Sequence, residues 1–252
     1  MHIEVSGNGP DLVLLHGWAM HGEVFAPLVD QLRSHFTVHV VDLPGHGRSV
    51  EDSTPLRLPY VVNAIAAATP PAVWCGWSLG GLFAQHAAAT VPKVRGLVML
   101  ASSPRFVRGQ GWPEGADAVV LTQLGQALQD DFPSTIERFL ALDVMATPQA
   151  RQQMQQLRQR LLALPPAPRV LQEGLKLLQD TDLRGALSGL PRPSLWMAGQ
   201  RDRVVTPAAM QAAAALAPRA HALTIAQGGH APFLARPEQV GQALQQFVAT
   251  LA

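Results

Sequence analysis

Short apolar runs recur along the chain at Leu12–Leu15, Thr37–Val41, Ala72–Cys75, Gly96–Leu100, Ser194–Ala198 and His221–Ile225. Several are apolar almost throughout instead of alternating, the pattern of strands covered on both faces of a parallel sheet. Longer stretches with helical spacing lie between them, among them Gly81–Thr90, Pro207–Leu216 and Pro237–Leu251. This alternation predicts an α/β fold with right-handed crossovers: a mostly parallel central sheet with helices on both faces. The alternation stops between Ser102 and Pro193. No strand pattern occurs there, and several segments have helical spacing; in Pro148–Leu164 the residues Met154, Leu157, Leu161 and Leu164 form an apolar stripe. The interval is either a set of extra packing helices or a helical lid inserted over the strand ends where open α/β sheets bind substrates. The sheet pattern resumes at Ser194, which favours the lid. The predicted division is a core of residues 1–103 and 192–252 with a lid over 104–191.

Composition narrows the class. Of 252 residues 48% are apolar and 15% charged, enough for a large buried core and too apolar for disorder. The formal charge of +1 argues against general nucleic-acid binding. Only Lys93 and Lys176 are lysines among the 19 basic residues, so positive charge here means arginine, which grips carboxylates and phosphates bidentately. Cys75 is the single cysteine; no internal disulfide is possible, and its place in an apolar run reads as a buried strand residue. The N-terminal MHIEVSGNGP has no basic-then-apolar leader pattern, and no apolar run approaches the roughly 20 residues that span a bilayer. A soluble, cytoplasmic monomer is expected.

One polar residue interrupts the run AVWCGWSLGGLF. Gly76-Trp77-Ser78-Leu79-Gly80 fits G-x-S-x-G between a predicted strand and a predicted helix, the context that gives the motif meaning. Glycines two before and two after the serine allow a sharp turn that projects its Oγ. The turn also leaves backbone N–H groups free at a helix N-terminus, where developing negative charge is favoured. A serine hydroxyl needs a base, and the base an orienting carboxylate, in the chain order Ser, Asp, His for this architecture. Of nine histidines, His230 stands out, in the loop GGHAPF after the last predicted strand. His2, His21, His35 and His86 read as surface or helix residues, and His39 and His221 as structural strand residues. Asp202, in SLWMAGQRD after the penultimate strand, is the predicted acid; Asp180 and Asp182 fall in the inserted interval and Asp42 reads as structural. Two backbone donors for an oxyanion are expected at Leu79 and at Trp18, the latter in the loop His16-Gly17-Trp18 after the first apolar run, where His16 reads as a brace. No H-E-x-x-H or paired-cysteine pattern points to a metal, and GHGRS lacks the G-K-[ST] ending of a phosphate loop, so no cofactor is expected.

LVLLHGW, VVDLPGHGRS, GWSLGG and GGHAPF together resemble the α/β-hydrolase superfamily. Within it the closer resemblance is to the pimeloyl-[acyl-carrier protein] methyl ester carboxylesterases of biotin biosynthesis, and ASSPRF, ERFLAL, LLALP and TDLR extend it through the inserted interval. The resemblance implies Ser78 as nucleophile, His230 as base and Asp202 as its partner. It also implies substrate contacts at Trp18, Ser78, Leu79 and His230 and along Phe139, Leu140, Ala141, Leu142 and Asp143. The acyl chain would lie along Phe139, Leu140 and Leu142 beneath the lid. An acyl carrier protein is the implied partner, bound through Arg138 and Arg151, with Arg158 one heptad beyond on the same helix face. Ser134 and Gln155 stand where further arginines are expected, and His46 and Arg203 also depart from the family pattern (Phe and Gly). From Asp143 to Glu173 the chain carries Arg151, Arg158, Arg160 and Arg169 and no acidic residue between them, either an ordinary solvated surface or a docking face for an acidic partner. The competing readings are a broad short-chain carboxylesterase, a carbon–carbon bond hydrolase, and, more remotely, a small-ligand receptor that keeps the same three residues.

Overall fold

The computed structural model describes residues 1–141 and 148–251. Seven strands form one sheet: β1 (His2–Gly7), β2 (Asp11–Leu15), β3 (Thr37–Asp42), β4 (Ala72–Trp77), β5 (Val94–Leu100), β6 (Ser194–Gly199) and β7 (Ala220–Ile225), in the order β1-β3-β2-β4-β5-β6-β7. Every neighbouring pair is parallel except β1 with β3, which is antiparallel. The six expected strands are present, each longer by one or two residues. β1 was not expected: HIEVSG is short and polar, and at the sheet edge its side chains stay half exposed, so no apolar run marks it.

All six residues of the central strand β4 are buried, and so are those of β6, as the continuous apolar runs require. Cys75 lies in β4, fully buried, and burial pushes its thiol up to about 12. On one face α1 (Ala26–Leu32) packs with α10 (Pro237–Ala249); on the other α2 (Leu58–Ala68) packs with α3 (Leu79–Thr90). Between β5 and β6 run α4 (Ala118–Asp130), α5 (Phe132–Ala141), α6 (Pro148–Ala163) and α7 (Pro168–Asp180), with α8 (Pro207–Ala214) and the short α9 (Pro232–Ala235) further on. On α7 the residues Val170, Leu171, Gly174 and Leu178 are buried, one stripe of helical period. On α6 Leu157 and Leu161 are buried and the Met154 side chain lies outside the described residues, whereas Leu164 lies past the helix end and is exposed, so it does not belong to the expected stripe. Among the described residues no helix is long and apolar enough to cross a membrane.

Two histidine readings change. His21 is buried and caps a short 3-10 helix (Gly22–Phe25) through Nδ1, whereas His221 is exposed on edge strand β7. His39 is buried in β3 and pairs with Asp11 at 2.7 Å.

Candidate active site

Parallel strands bring their C-terminal ends to one edge of the sheet. The loops after β2, β4, β6 and β7 therefore converge, and they carry Gly17 and Trp18, Ser78, Asp202 and His230 respectively. Ser78 joins β4 to α3 with φ 51° and ψ −121°, a conformation that costs a non-glycine residue about 1–3 kcal/mol. Its surroundings hold it there. Its N–H donates to the Leu100 carbonyl at 3.1 Å, and its carbonyl accepts from Gly81 N–H at 2.9 Å and from the Ser102 hydroxyl at 2.6 Å. The turn tolerates no side chain on either flank: a Cβ on Gly76 would sit 2.3 Å from the Gly80 carbonyl oxygen, and one on Gly80 2.2 Å from that of Leu15.

Ser78 Oγ lies 3.0 Å from His230 Nε2, and His230 Nδ1 lies 2.8 Å from Asp202 Oδ2. The Asp202 side chain is fully buried, and its other oxygen accepts the N–H groups of Val204 (2.8 Å) and Val205 (3.0 Å). A carboxylate so held is aimed at the ring and accepts from Nδ1–H, which leaves Nε2 to take a proton from the serine. Trp77 ties the two loops together, its indole N–H donating to the His230 carbonyl at 2.7 Å.

The loop after β2 is braced from behind. His16 Nδ1–H donates to the Gly17 carbonyl at 2.8 Å, and Nε2 accepts the Leu43 N–H at 3.0 Å. Burial drives His16 down to about 3, so it stays neutral and acts as the expected brace. Gly17 lets this loop meet the elbow, since a Cβ there would lie 3.2 Å from the Ser78 Cβ. Leu79 opens α3, where a first-turn N–H has no intrahelical acceptor. Both loops that carry the expected oxyanion donors, Trp18 and Leu79, thus adjoin Ser78.

A cavity of about 80 Å³ reaches Ser78 and His230. Its walls are apolar: Trp18 and Met20 from the loop after β2, Trp77 from the end of β4, Phe106 from the segment after β5, Leu121, Leu124 and Leu128 from α4, Ile136 and Phe139 from α5, and Leu178 from α7. Gly17, Ala19, Thr135 and Val204 complete the lining. Of the expected chain contacts, Phe139 lines the cavity and Leu140 does not; it is buried in the core behind it. Ala141 ends α5, and Leu142 and Asp143 lie outside the described residues. The α4 contribution was missed, although Leu121, Leu124 and Leu128 have helical spacing in the sequence; spacing shows a face and not what it faces.

The expected docking arginines are mostly engaged within the chain. Arg138 donates to Thr135 Oγ1 at 3.1 Å, Arg158 pairs with Glu137, Arg160 with Glu23 at 3.1 Å and Arg169 with Glu173 at 3.2 Å. Arg151 falls in α6, with its side chain outside the described residues. A positive face read from composition alone is thus largely neutralised by neighbours from α5, α7 and the core.

A strand-end serine, histidine and aspartate on this sheet order define a class, and the chain belongs to the alpha/beta hydrolase family, whose pattern matches residues 12–243. It is 66% identical over its whole length to a pimeloyl-[acyl-carrier protein] methyl ester esterase of Stenotrophomonas maltophilia, covering 98% of that protein. It is 63% identical to the enzyme of the same name from Xanthomonas oryzae pv. oryzae, each chain covered in full. Among solved structures, an esterase from Exiguobacterium antarcticum shares the fold with a TM-score of 0.87 at 21% identity, over 98% of this chain and 95% of that one. An esterase from a Rhodococcus species matches with a TM-score of 0.82 at 26% identity, over 99% and 94%.

Proposed function

We propose that this chain is a serine carboxylesterase that hydrolyses the methyl ester of pimeloyl-[acyl-carrier protein] to methanol and the free carboxylate, in biotin biosynthesis. The reading rests on the Ser78–His230–Asp202 hydrogen-bond relay at the base of an apolar cavity. Full-length identity to two relatives that carry this activity in their names supports it.

Ser78 Oγ attacks the ester carbonyl as its proton passes to His230 Nε2. The Trp18 and Leu79 amides hold the oxygen that gains the charge, and buried Asp202 stabilises the imidazolium without taking its proton. As the tetrahedral adduct collapses, the carbon–methoxy bond breaks and His230 protonates the departing oxygen, releasing methanol. Water then attacks the acyl-enzyme, losing a proton to His230, and Ser78 leaves with that proton. The apolar walls from α4, α5 and α7 suit a neutral ester on a methylene chain; a carboxylate product is poorly solvated there and is favoured to leave. The helices between β5 and β6 act as the lid over residues 104–191, and the acidic carrier docks on the α5–α6 face around Arg138, Arg151 and Arg158, in the cytoplasm and with no cofactor.

The deciding experiment compares turnover of the carrier-bound methyl ester with that of soluble short-chain esters. Hydrolysis of the carrier-bound ester, lost in Ser78→Ala and weakened by salt far more than soluble-ester turnover, is expected. Turnover of soluble esters alone would leave a broad carboxylesterase, and fluorophosphonate labelling of Ser78 without ester turnover would point to a ligand receptor.

A further inference from the structure

Trp18 does more than offer a backbone amide. Its side chain leaves the loop after β2 and enters the space between α4 and α7, where it is only 8% exposed. Its indole N–H donates to the Leu171 carbonyl of α7 at 3.1 Å. The slot exists because two helix positions lack side chains. A Cβ on Gly174 of α7 would stand 2.5 Å from the indole Cδ1 and 2.7 Å from Nε1, and one on Gly125 of α4 would stand 3.3 Å from the far edge of the ring. Glycine inside a helix costs roughly 1 kcal/mol relative to alanine, so two such positions closing on one ring are not explained by helix formation. The loop that carries it runs beside Ser78: a Cβ on Gly17 would stand 3.2 Å from the serine Cβ, and Ala19 turns the chain sharply with φ 62°.

We infer that the Trp18 indole is a positioning group that locks the oxyanion loop to the α4–α7 pair, so that the donor at Trp18 is in register only when those helices are seated. This rests on the serine-hydrolase reading of the site and adds a device to it: the helices that wall the acyl cavity also set the geometry of the charge-stabilising amide. A displacement of the loop by about 1 Å is enough to lower kcat by roughly 10- to 100-fold without loss of binding.

The test is a double-mutant cycle on Trp18→Ala and Gly174→Ala, read with a soluble aryl acetate too short to reach the helix walls and with the rate of fluorophosphonate attack on Ser78. Each single variant is expected to lower kcat and the labelling rate together by about tenfold or more with KM little changed. Gly174→Ala is expected to cost almost nothing further in the Trp18→Ala background, because truncation at Cβ removes the indole atoms that the new methyl strikes. If instead the two effects multiply independently, or KM for long esters rises while kcat and labelling on short probes stay at wild-type values, Trp18 is a cavity wall only and the inference fails. Neither probe involves the carrier protein, so failure of the wild type on the carrier-bound ester overturns the substrate assignment and leaves this result readable.

Discussion

The Ser102 hydroxyl reaches the Ser78 carbonyl at 2.6 Å and fixes a strained residue from the end of a neighbouring strand. Ser102→Ala leaves that carbonyl with the Gly81 N–H alone. A stability loss of about 1 kcal/mol is expected in urea unfolding. A several-fold fall in kcat at constant KM should accompany it, measured on a soluble ester. Asp202→Asn is expected to be far more severe, about 10⁴-fold in kcat, because an amide can hold the wrong histidine tautomer. Ser78, Asp202 and His230 could be found in the sequence because each follows an apolar run and the order Ser, Asp, His is constrained by strand order. Ser102 and Trp77 could not, since each acts through a contact with a residue far off in sequence, 24 and 153 positions away.

At the level of elements, the charge on the α5–α6 face depends on pairing as well as on arginine count. Glu137 on α5 holds Arg158 on α6, both partly exposed. Such a pair adds only about 0–1 kcal/mol of stability, so Glu137→Gln is expected to leave the melting temperature nearly unchanged. It should free a positive charge and lower KM for the carrier-bound ester a few-fold at low salt, with soluble-ester kinetics unaltered. Unchanged KM for both would place the docking surface elsewhere. Strands β2 to β6 were legible because burial on both faces writes a near-continuous apolar run; edge strand β7 is mostly exposed and was legible from its apolar residues alone, while β1, with a half-exposed polar sequence, gave no such signal. The helices after β5 were legible as helices, but not which of them wall the cavity: that depends on how α4 and α7 pack, which their own periodicity does not encode.

Across the whole molecule, two buried histidines couple stability to pH. His16 and His46 lie with ring centroids 5.0 Å apart, and burial lowers each from an ordinary 6.5 to about 3. The unfolded chain takes up protons at these rings below about 6.5, whereas the folded one does not until about 3. Their contribution is therefore complete above 6.5 and lost as pH falls, at about 1.4 kcal/mol per pH unit for each ring. Urea midpoints measured from pH 8 to pH 4.5 should decline accordingly. His46 Nε2 has no hydrogen-bond partner among the described residues, so His46→Phe removes one titrating ring, costs the single Nδ1–H bond to the Pro44 carbonyl (about 1 kcal/mol) and should make that decline shallower. An unchanged slope would assign the acid sensitivity to other groups.

Cys75 gives the molecule a clock of its own. The chain's one thiol sits in the middle strand of seven, fully buried and held protonated by its surroundings. A thiol reagent can reach it only when the layer packed over its face of β4 lifts from the sheet on which all four site loops stand. The rate of its modification thus counts openings of the core of the unlabelled protein, one event per sulfur, and can be followed while the serine is free, acylated or capped by an inhibitor.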